Sequence, residues 1–177
     1  MKIYTKVGDA GYTRQASGKM VPKFDPQIQA LGDLDELETW LGNVLAQLSA
    51  PNAGLAPELL QIQRNLYALQ ADINIKNSKR LDPQALPAME ARIDAITPTL
   101  PVIKAFILPG GQVTGANLQY ARTLARRAER SVVALHTQQT IDPGILKYLN
   151  RLSDYLFTLA RYANYLDGYT DIRADQK

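Results

Sequence analysis

Arg122, Arg126, Arg127 and Arg130 fall within nine residues of one another, and Glu129 is the one acidic side chain among them. At about 100° per residue on a helix, Arg122, Arg126 and Glu129 project within roughly 60° of one another, with Arg130 at the margin of the same arc. Ala121, Leu124, Ala125, Ala128, Val132 and Leu135 gather on a different side, so the segment reads as a helix with one face for packing and one for ions. A guanidinium is planar, stays charged at any accessible pH and holds several anionic oxygens at once, which suits an oligophosphate. A solvated charged face is the other reading of the same residues.

Two further groups of residues carry chemistry. The leader Tyr4-Thr5-Lys6-Val7-Gly8-Asp9-Ala10-Gly11-Tyr12-Thr13-Arg14, followed by Ser17-Gly18-Lys19 and Lys23, is too polar and glycine-rich for a packed element. It has the composition of a phosphate cradle, in which glycines bring backbone N–H groups close to an anion, hydroxyls donate and lysines supply charge. Its order is not that of a P-loop and no strand precedes it, so a flexible basic N-terminus stays open as the alternative. Near the other end of the chain, Asn150, Asp154, Phe157, Arg161 and Asn164 fall within about 80° of helical arc, opposite Leu149, Leu152, Leu156, Leu159 and Ala163. That polar row fits either a wet ligand cleft or a hydrogen-bond network between helices.

Composition bounds the frame that must position these groups. At 177 residues, 46% hydrophobic and 21% charged, the chain is expected to be one globular domain. No apolar run approaches the roughly 20 residues of a membrane span, and Met-Lys-Ile-Tyr-Thr-Lys lacks a signal-peptide core, so the expected location is the cytoplasm. The absence of cysteine excludes disulfides, thiolate nucleophiles and iron–sulfur clusters. With a single histidine, any metal must be held by oxygen, and no protein-built metal site is expected. A net charge of +3 mildly favours anionic partners.

Helical periodicity runs nearly throughout, which predicts an all-α, five-helix antiparallel bundle over residues 25–166, preceded by an extended leader (1–24) and followed by a C-terminal tail (167–177). The first helix is expected from Asp25-Pro26 to Ser49, with Leu34, Leu37, Leu41, Leu45 and Leu48 as its buried stripe. The second spans Pro57 to Asn77, with Leu59, Ile62, Leu66, Leu69 and Ile73 inward. The third, capped by Asp82, spans Pro83 to Ile96. Residues 97–114 hold three prolines and Gly110-Gly111, which forbid a continuous helix and predict a loop with an apolar centre. The fourth helix, Val113 to Thr137, carries the arginines, and the fifth, Pro143 to Leu166, starts at Asp142. His136 is expected to act on its helix dipole.

In this order the pieces resemble the PduO-type ATP:cob(I)alamin adenosyltransferases. The resemblance lies in Tyr4-Thr-Lys-x-Gly-Asp-x-Gly-x-Thr13, Gly32-Asp-Leu-Asp35-Glu36-Leu37, Phe106-Ile-Leu-Pro-Gly-Gly111, Ala121-Arg122-Thr123 with Arg126-Arg-Ala-Glu-Arg130, and Leu149-Asn-Arg-Leu-Ser-Asp154 with Phe157 and Arg161. It implies a homotrimer with active sites between subunits, in which reduced cobalamin attacks the 5′ carbon of ATP to give adenosylcobalamin and triphosphate. By analogy, Thr5, Lys6, Val7, Gly8, Thr13, Arg14, Lys23, Arg126, Arg127, Ala128, Glu129, Arg130 and Asn150 contact ATP. Asp35 and Arg122 pair across the subunit boundary, and Phe106 displaces the base beneath cobalt. Magnesium (Mg2+) bridges the phosphates, leaning on ATP oxygens. A flavin-type reductase and an adenosylcobalamin-dependent client enzyme are the implied partners.

Val7, Glu38 and Gln119 depart from that pattern, standing where threonine, asparagine and histidine are frequent. A non-catalytic ATP- or cobalamin-binding sensor is the competing function. A nucleic-acid binder is disfavoured by the acidic residues among the arginines.

Overall fold

The computed structural model describes residues 2–175. It contains five α-helices, α1 (Pro26–Ala46), α2 (Ala56–Asn74), α3 (Ala85–Ile96), α4 (Val113–His136) and α5 (Pro143–Leu166). Each expected helix is present, and α5 has the expected bounds. The α1 start is set by Asp25, whose carboxylate accepts from Gln27 N–H at 2.9 Å, and Asp142 does the same for Gly144 at 2.7 Å in α5.

Helix ends are where expectation and structure part. Helix α1 stops at Ala46 because residues 50–55, beginning Ala50-Pro51, form a 3₁₀ turn, and Ser49 N–H turns aside to the Thr114 hydroxyl. Helix α2 stops at Asn74 because Asp72 accepts from the Ser78 hydroxyl and from the N–H groups of Arg80 and Leu81, folding the chain back through Asn77 at φ 64°. Asp82 does not cap α3 directly; it accepts from Gln84 N–H in a preceding turn. The leader is not wholly irregular either. β1 (Tyr12–Arg14) and β2 (Met20–Pro22) form an antiparallel hairpin, and it is anchored by Val21, which is buried. Met1, Gln176 and Lys177, the extremes of the expected leader and tail, lie outside the described residues.

Helix α4 packs between α1 and α5, α2 covers α1, and α3 covers α5. Leu34, Leu37 and Leu41, all five α2 positions, the α4 stripe and the α5 stripe are buried, whereas Leu45 and Leu48 lie partly buried at the margin. Removing these surfaces from water is the main stabilising term, roughly 1.5–3 kcal/mol for each large apolar side chain. Cross-links fix the directions. Asp33 near the start of α1 meets Ser131 late in α4, and Trp40 Nε1 donates to the Asn117 carbonyl at 3.0 Å. The hairpin tip therefore sits beside the C-terminal ends of α2 and α4, and the 97–112 loop sits at the opposite end of the bundle.

Candidate active site

The ion face of α4 divides in two. Arg126 and Arg130 are exposed and Arg122 is half-buried. Among the described residues no carboxylate lies within ion-pair reach of these three. Arg122 donates its Nε to Gln119 at 3.0 Å. Burial, and then the neighbouring Arg126 charge, pull its pKa below the usual guanidinium value. A row of like charges without internal neutralisation is suited to an anion from outside.

Arg127 points elsewhere. It pairs with Glu36 and lies 3.8 Å from Asp33, whose carboxylate also accepts from Ser131 and, at 3.0 Å, from Gln29. Ala128, one of the contacts the resemblance implies, lies on the packing side that the helical spacing predicts. It has no exposed surface and packs α4 into the core, because it stands about 200° around the helix from Arg126. Glu129 accepts from Asn150 Nδ2 at 2.8 Å, which joins α4 to α5 at the edge of the row.

At the N-terminal half of α4 the charged row runs into an apolar cleft of about 580 Å³, lined by Phe106, Ile107, Pro109, Gln119, Arg122 and Phe157 among others. Phe106 is 91% exposed, so its ring is offered to whatever enters and is not spent on loop packing. The buried Gln119 shares this wall with Arg122. The α5 polar row also splits. Asn150 and Asp154 are exposed, whereas Arg161 and Asn164 are buried and bond to the loop: Arg161 to the Pro101 carbonyl at 2.7 Å, Asn164 to the Gly110 carbonyl at 3.0 Å. The buried half is thus a hydrogen-bond network between helix and loop, while in the exposed half Asn150 bonds Glu129 and Asp154 pairs with Arg151. Gly111 (φ 120°) and Gly115 leave the room that Asn164 occupies, since a Cβ at either would collide with its amide.

In the leader, Lys6 takes a left-handed backbone (φ 63°) in a turn closed by Asp9 N–H on its carbonyl, and Gly11 N–H closes the next turn on Gly8. Lys23 crosses Gly8, where a Cβ would lie 3.3 Å from its ammonium. Thr5, Lys6, Val7, Arg14 and Lys23 are exposed, and Thr13 and Gly8 are partly so. The structure does not bring this group to Phe106 within one chain. They lie toward opposite ends of α4, whose 24 residues span about 36 Å.

Asp35 is exposed on α1 and meets no cation among the described residues. One turn on, burial pushes the Glu38 carboxyl up, Gln70 opposes this with a hydrogen bond at 2.6 Å, and Asp35 adds to the rise. His136 stands in the last turn of α4, as expected, and its Nδ1 accepts from Ile141 N–H at 3.1 Å, closing the turn that follows the helix. Sequence reasoning missed Asp33 and Glu36 as partners of Arg127, and it missed Asp171, Ile172 and Ala174, which hold the Phe106 loop. The alternation Asp171-Ile-Arg-Ala-Asp175 was the available signal for an extended strand.

A helical bundle whose cationic α4 face opens into an apolar cleft presents a surface suited to an anion beside one suited to an apolar body. The chain belongs to the cobalamin adenosyltransferase family, which it matches over residues 3–163. It is 40% identical to a corrinoid adenosyltransferase of Bacillus subtilis (strain 168), over 99% of this chain and 93% of that protein. It is 39% identical to a Homo sapiens corrinoid adenosyltransferase, over 94% of this chain and 70% of that one. Among solved structures, a Phe-to-Ala variant of a PduO-type ATP:corrinoid adenosyltransferase from Lactobacillus reuteri, complexed with cobalamin and ATP, superposes with a TM-score of 0.95 at 38% identity, covering 99% of this chain and 100% of that one. An Arg-to-Lys variant complexed with ATP gives 0.92 at 40% identity, covering 97% and 99%.

Proposed function

We infer that this protein transfers the 5′-deoxyadenosyl group of ATP to the cobalt of reduced cobalamin, releasing adenosylcobalamin and inorganic triphosphate. The observation that carries this reading is the continuity of two surfaces through Arg122, which both opens the cationic row and lines the Phe106 cleft. A polyanion and an apolar-faced macrocycle need such neighbouring surfaces.

No protein nucleophile is required. The cobalt(I) of the substrate attacks C5′, the C5′–O5′ bond breaks, and its electron pair leaves on the triphosphate oxygen as cobalt rises formally from +1 to +3. The protein's work is to align C5′ with cobalt and to neutralise charge gathering on the leaving triphosphate. Arg126 and Arg130 are free to do so, joined by Lys6 and Lys23 and by the N–H groups and hydroxyls of Thr5, Val7, Gly8, Thr13 and Arg14. Asn150 and Glu129 hold the margin of the row, and Arg127 fastens it to α1. Magnesium arriving with ATP would add Lewis-acid charge through phosphate oxygens. Phe106 forms a wall against the lower corrin face, keeping both the tethered base and water away from cobalt.

The assembly in this reading is a homotrimer. Leader and Phe106 cleft are too far apart on one chain to share a nucleotide that reaches cobalt, and a neighbouring subunit can supply the missing half. Asp35 and Arg122, neither of which meets an opposite charge among the described residues, are then partners across that seam. A cytoplasmic setting, an electron supply from a flavin-type reductase and delivery to an adenosylcobalamin-dependent enzyme complete the proposal. Among the described residues no helix is long and apolar enough to cross a membrane.

Anaerobic incubation with ATP, magnesium and chemically reduced cobalamin tests the reading. The cobalt–carbon spectrum should appear together with one triphosphate per corrinoid. Binding of both substrates with no triphosphate would identify a sensor and refute catalysis.

A further inference from the structure

Phe106 is held by a part of the chain that lies beyond the bundle. Leu108 N–H donates to the Ile172 carbonyl at 2.8 Å and Ala174 N–H donates to the Phe106 carbonyl at 2.7 Å, forming an antiparallel bridge centred on Ile107 and Arg173. The root of that segment is tied by Arg161, which is 8% exposed on α5. Its Nε donates to Asp171 at 2.7 Å while a second nitrogen donates to the Pro101 carbonyl at 2.7 Å. One buried guanidinium thus joins a rigid helix, the entry to the Phe106 loop and the start of the C-terminal segment.

The exposure of Phe106 gives these bonds their importance. Its ring has almost no packing of its own, so its place is set by the backbone beneath it. A lone two-stranded bridge is marginal in water, and two backbone bonds would not hold such a loop still. A charge-assisted clamp at the root of the bridge, with Asn164 gripping Gly110 and Gln112 on the far side, leaves the intervening residues little freedom.

We propose that residues Asp171–Ala174 form a splint that fixes Phe106 against the lower face of the corrin substrate, with Arg161 and Asp171 as its positioning residues. Neither residue needs to touch substrate. The proposal rests on the adenosyltransferase reading above and adds a role for the C-terminal segment.

The test uses the full chain, the variants Asp171→Asn and Arg161→Lys, and two corrinoids: cobalamin, and cobinamide, which has no tethered lower base. If the splint positions Phe106 to exclude that base, kcat/KM for cobalamin should fall about tenfold or more, the scale of a small misplacement of an active-site group. The KM for ATP should stay within about threefold of wild type, and cobinamide, where only water competes for cobalt, should lose distinctly less turnover than cobalamin. The variants should also form less base-off cobalt(II) by absorbance. Equal losses on both corrinoids would mean general loosening and would overturn the proposal, as would unchanged turnover of cobalamin. Should Arg161→Lys fail to fold, Asp171→Asn carries the test, because that side chain is partly exposed. A wild-type protein inactive on both corrinoids while folded would instead refute the functional reading, and the splint's role with it.

Discussion

Arg127 and Glu36 form an ion pair that removes one guanidinium from the middle of the arginine run and fastens α4 to α1. Its neighbour Arg126 is exposed and meets no carboxylate among the described residues. Two arginines adjacent in sequence therefore have different tasks. Successive helical residues diverge by about 100°, and only one of them can face the row.

The division can be separated by substitution. Arg126→Ala should lower kcat by about 100-fold, the scale of losing one transition-state charge contact, with the melting temperature unchanged. Arg127→Ala should cost about 1 kcal/mol of stability or less, since both partners are substantially exposed and screened by solvent. Steady-state kinetics with thermal denaturation checks both. Loss of turnover with Arg127→Ala but not with Arg126→Ala would reverse the assignment.

Asp35 and Arg122 should behave as a coupled pair. Each single charge reversal should weaken both activity and trimer assembly, and the double reversal should restore part of each. A double-mutant cycle read by turnover and by analytical ultracentrifugation checks the coupling, which simple additivity would exclude.

Phe106→Ala should impair reduction of cobalt more than binding of nucleotide. The expected signature is loss of base-off cobalt(II) absorbance with the KM for ATP little changed. A variant that still forms the base-off species at the wild-type level would remove Phe106 from this role.

Much of this was legible in the residues. The three- and four-residue spacing of apolar residues located α1, α2, α4 and α5 and nearly every stripe assigned to them, because burial of one face is what stabilises an amphipathic helix. Asp25 and Asp142 marked two helix starts through a local hydrogen bond that needs no tertiary context. The ends of α1 and α2 were less legible, since they are set by long-range or turn contacts such as Ser49 to Thr114 and Asp72 to Leu81. Arg161 and Asn164 stood out as polar residues on an apolar helix, but their partners lie 60 and 54 residues away, and no periodicity encodes such pairing. Of the candidate site, the arginine row stood out by type and spacing, whereas Phe106 was singled out by the family resemblance, its segment reading by itself only as a loop with an apolar centre. Helical spacing already set Ala128 on the packing side; that Arg127 is engaged by Glu36 of α1 became visible only in the packed helices.

Alkaline pH should expose a weakness on the opposite side of the bundle. Tyr148 is fully buried, its hydroxyl makes no hydrogen bond of good geometry, and burial pushes its pKa up to about 12, a rise that the nearby Asn65 amide offsets only in part. Burial, then the Glu58 carboxylate to which it donates at 2.5 Å, also raises Tyr155. A raised pKa means that the fold prefers the neutral phenol. That stability is full below pH 10, where the unfolded tyrosine begins to ionise, and is lost as pH rises through about 12. Tyr148→Phe should leave stability at pH 7 almost unchanged and move alkaline unfolding to higher pH, as denaturation followed from pH 8 to about 12 would reveal. A large drop in melting temperature at pH 7 would show that the hydroxyl is bonded after all.

The central claim is that the unpaired arginines of α4 receive the triphosphate of ATP. A crystal structure of the assembled protein soaked with ATP tests it most directly. Phosphate oxygens should lie within hydrogen-bond distance of Arg126, with the leader of an adjacent subunit closing over them. Phosphates seated elsewhere, with Arg126 and Arg130 facing bulk solvent, would contradict it.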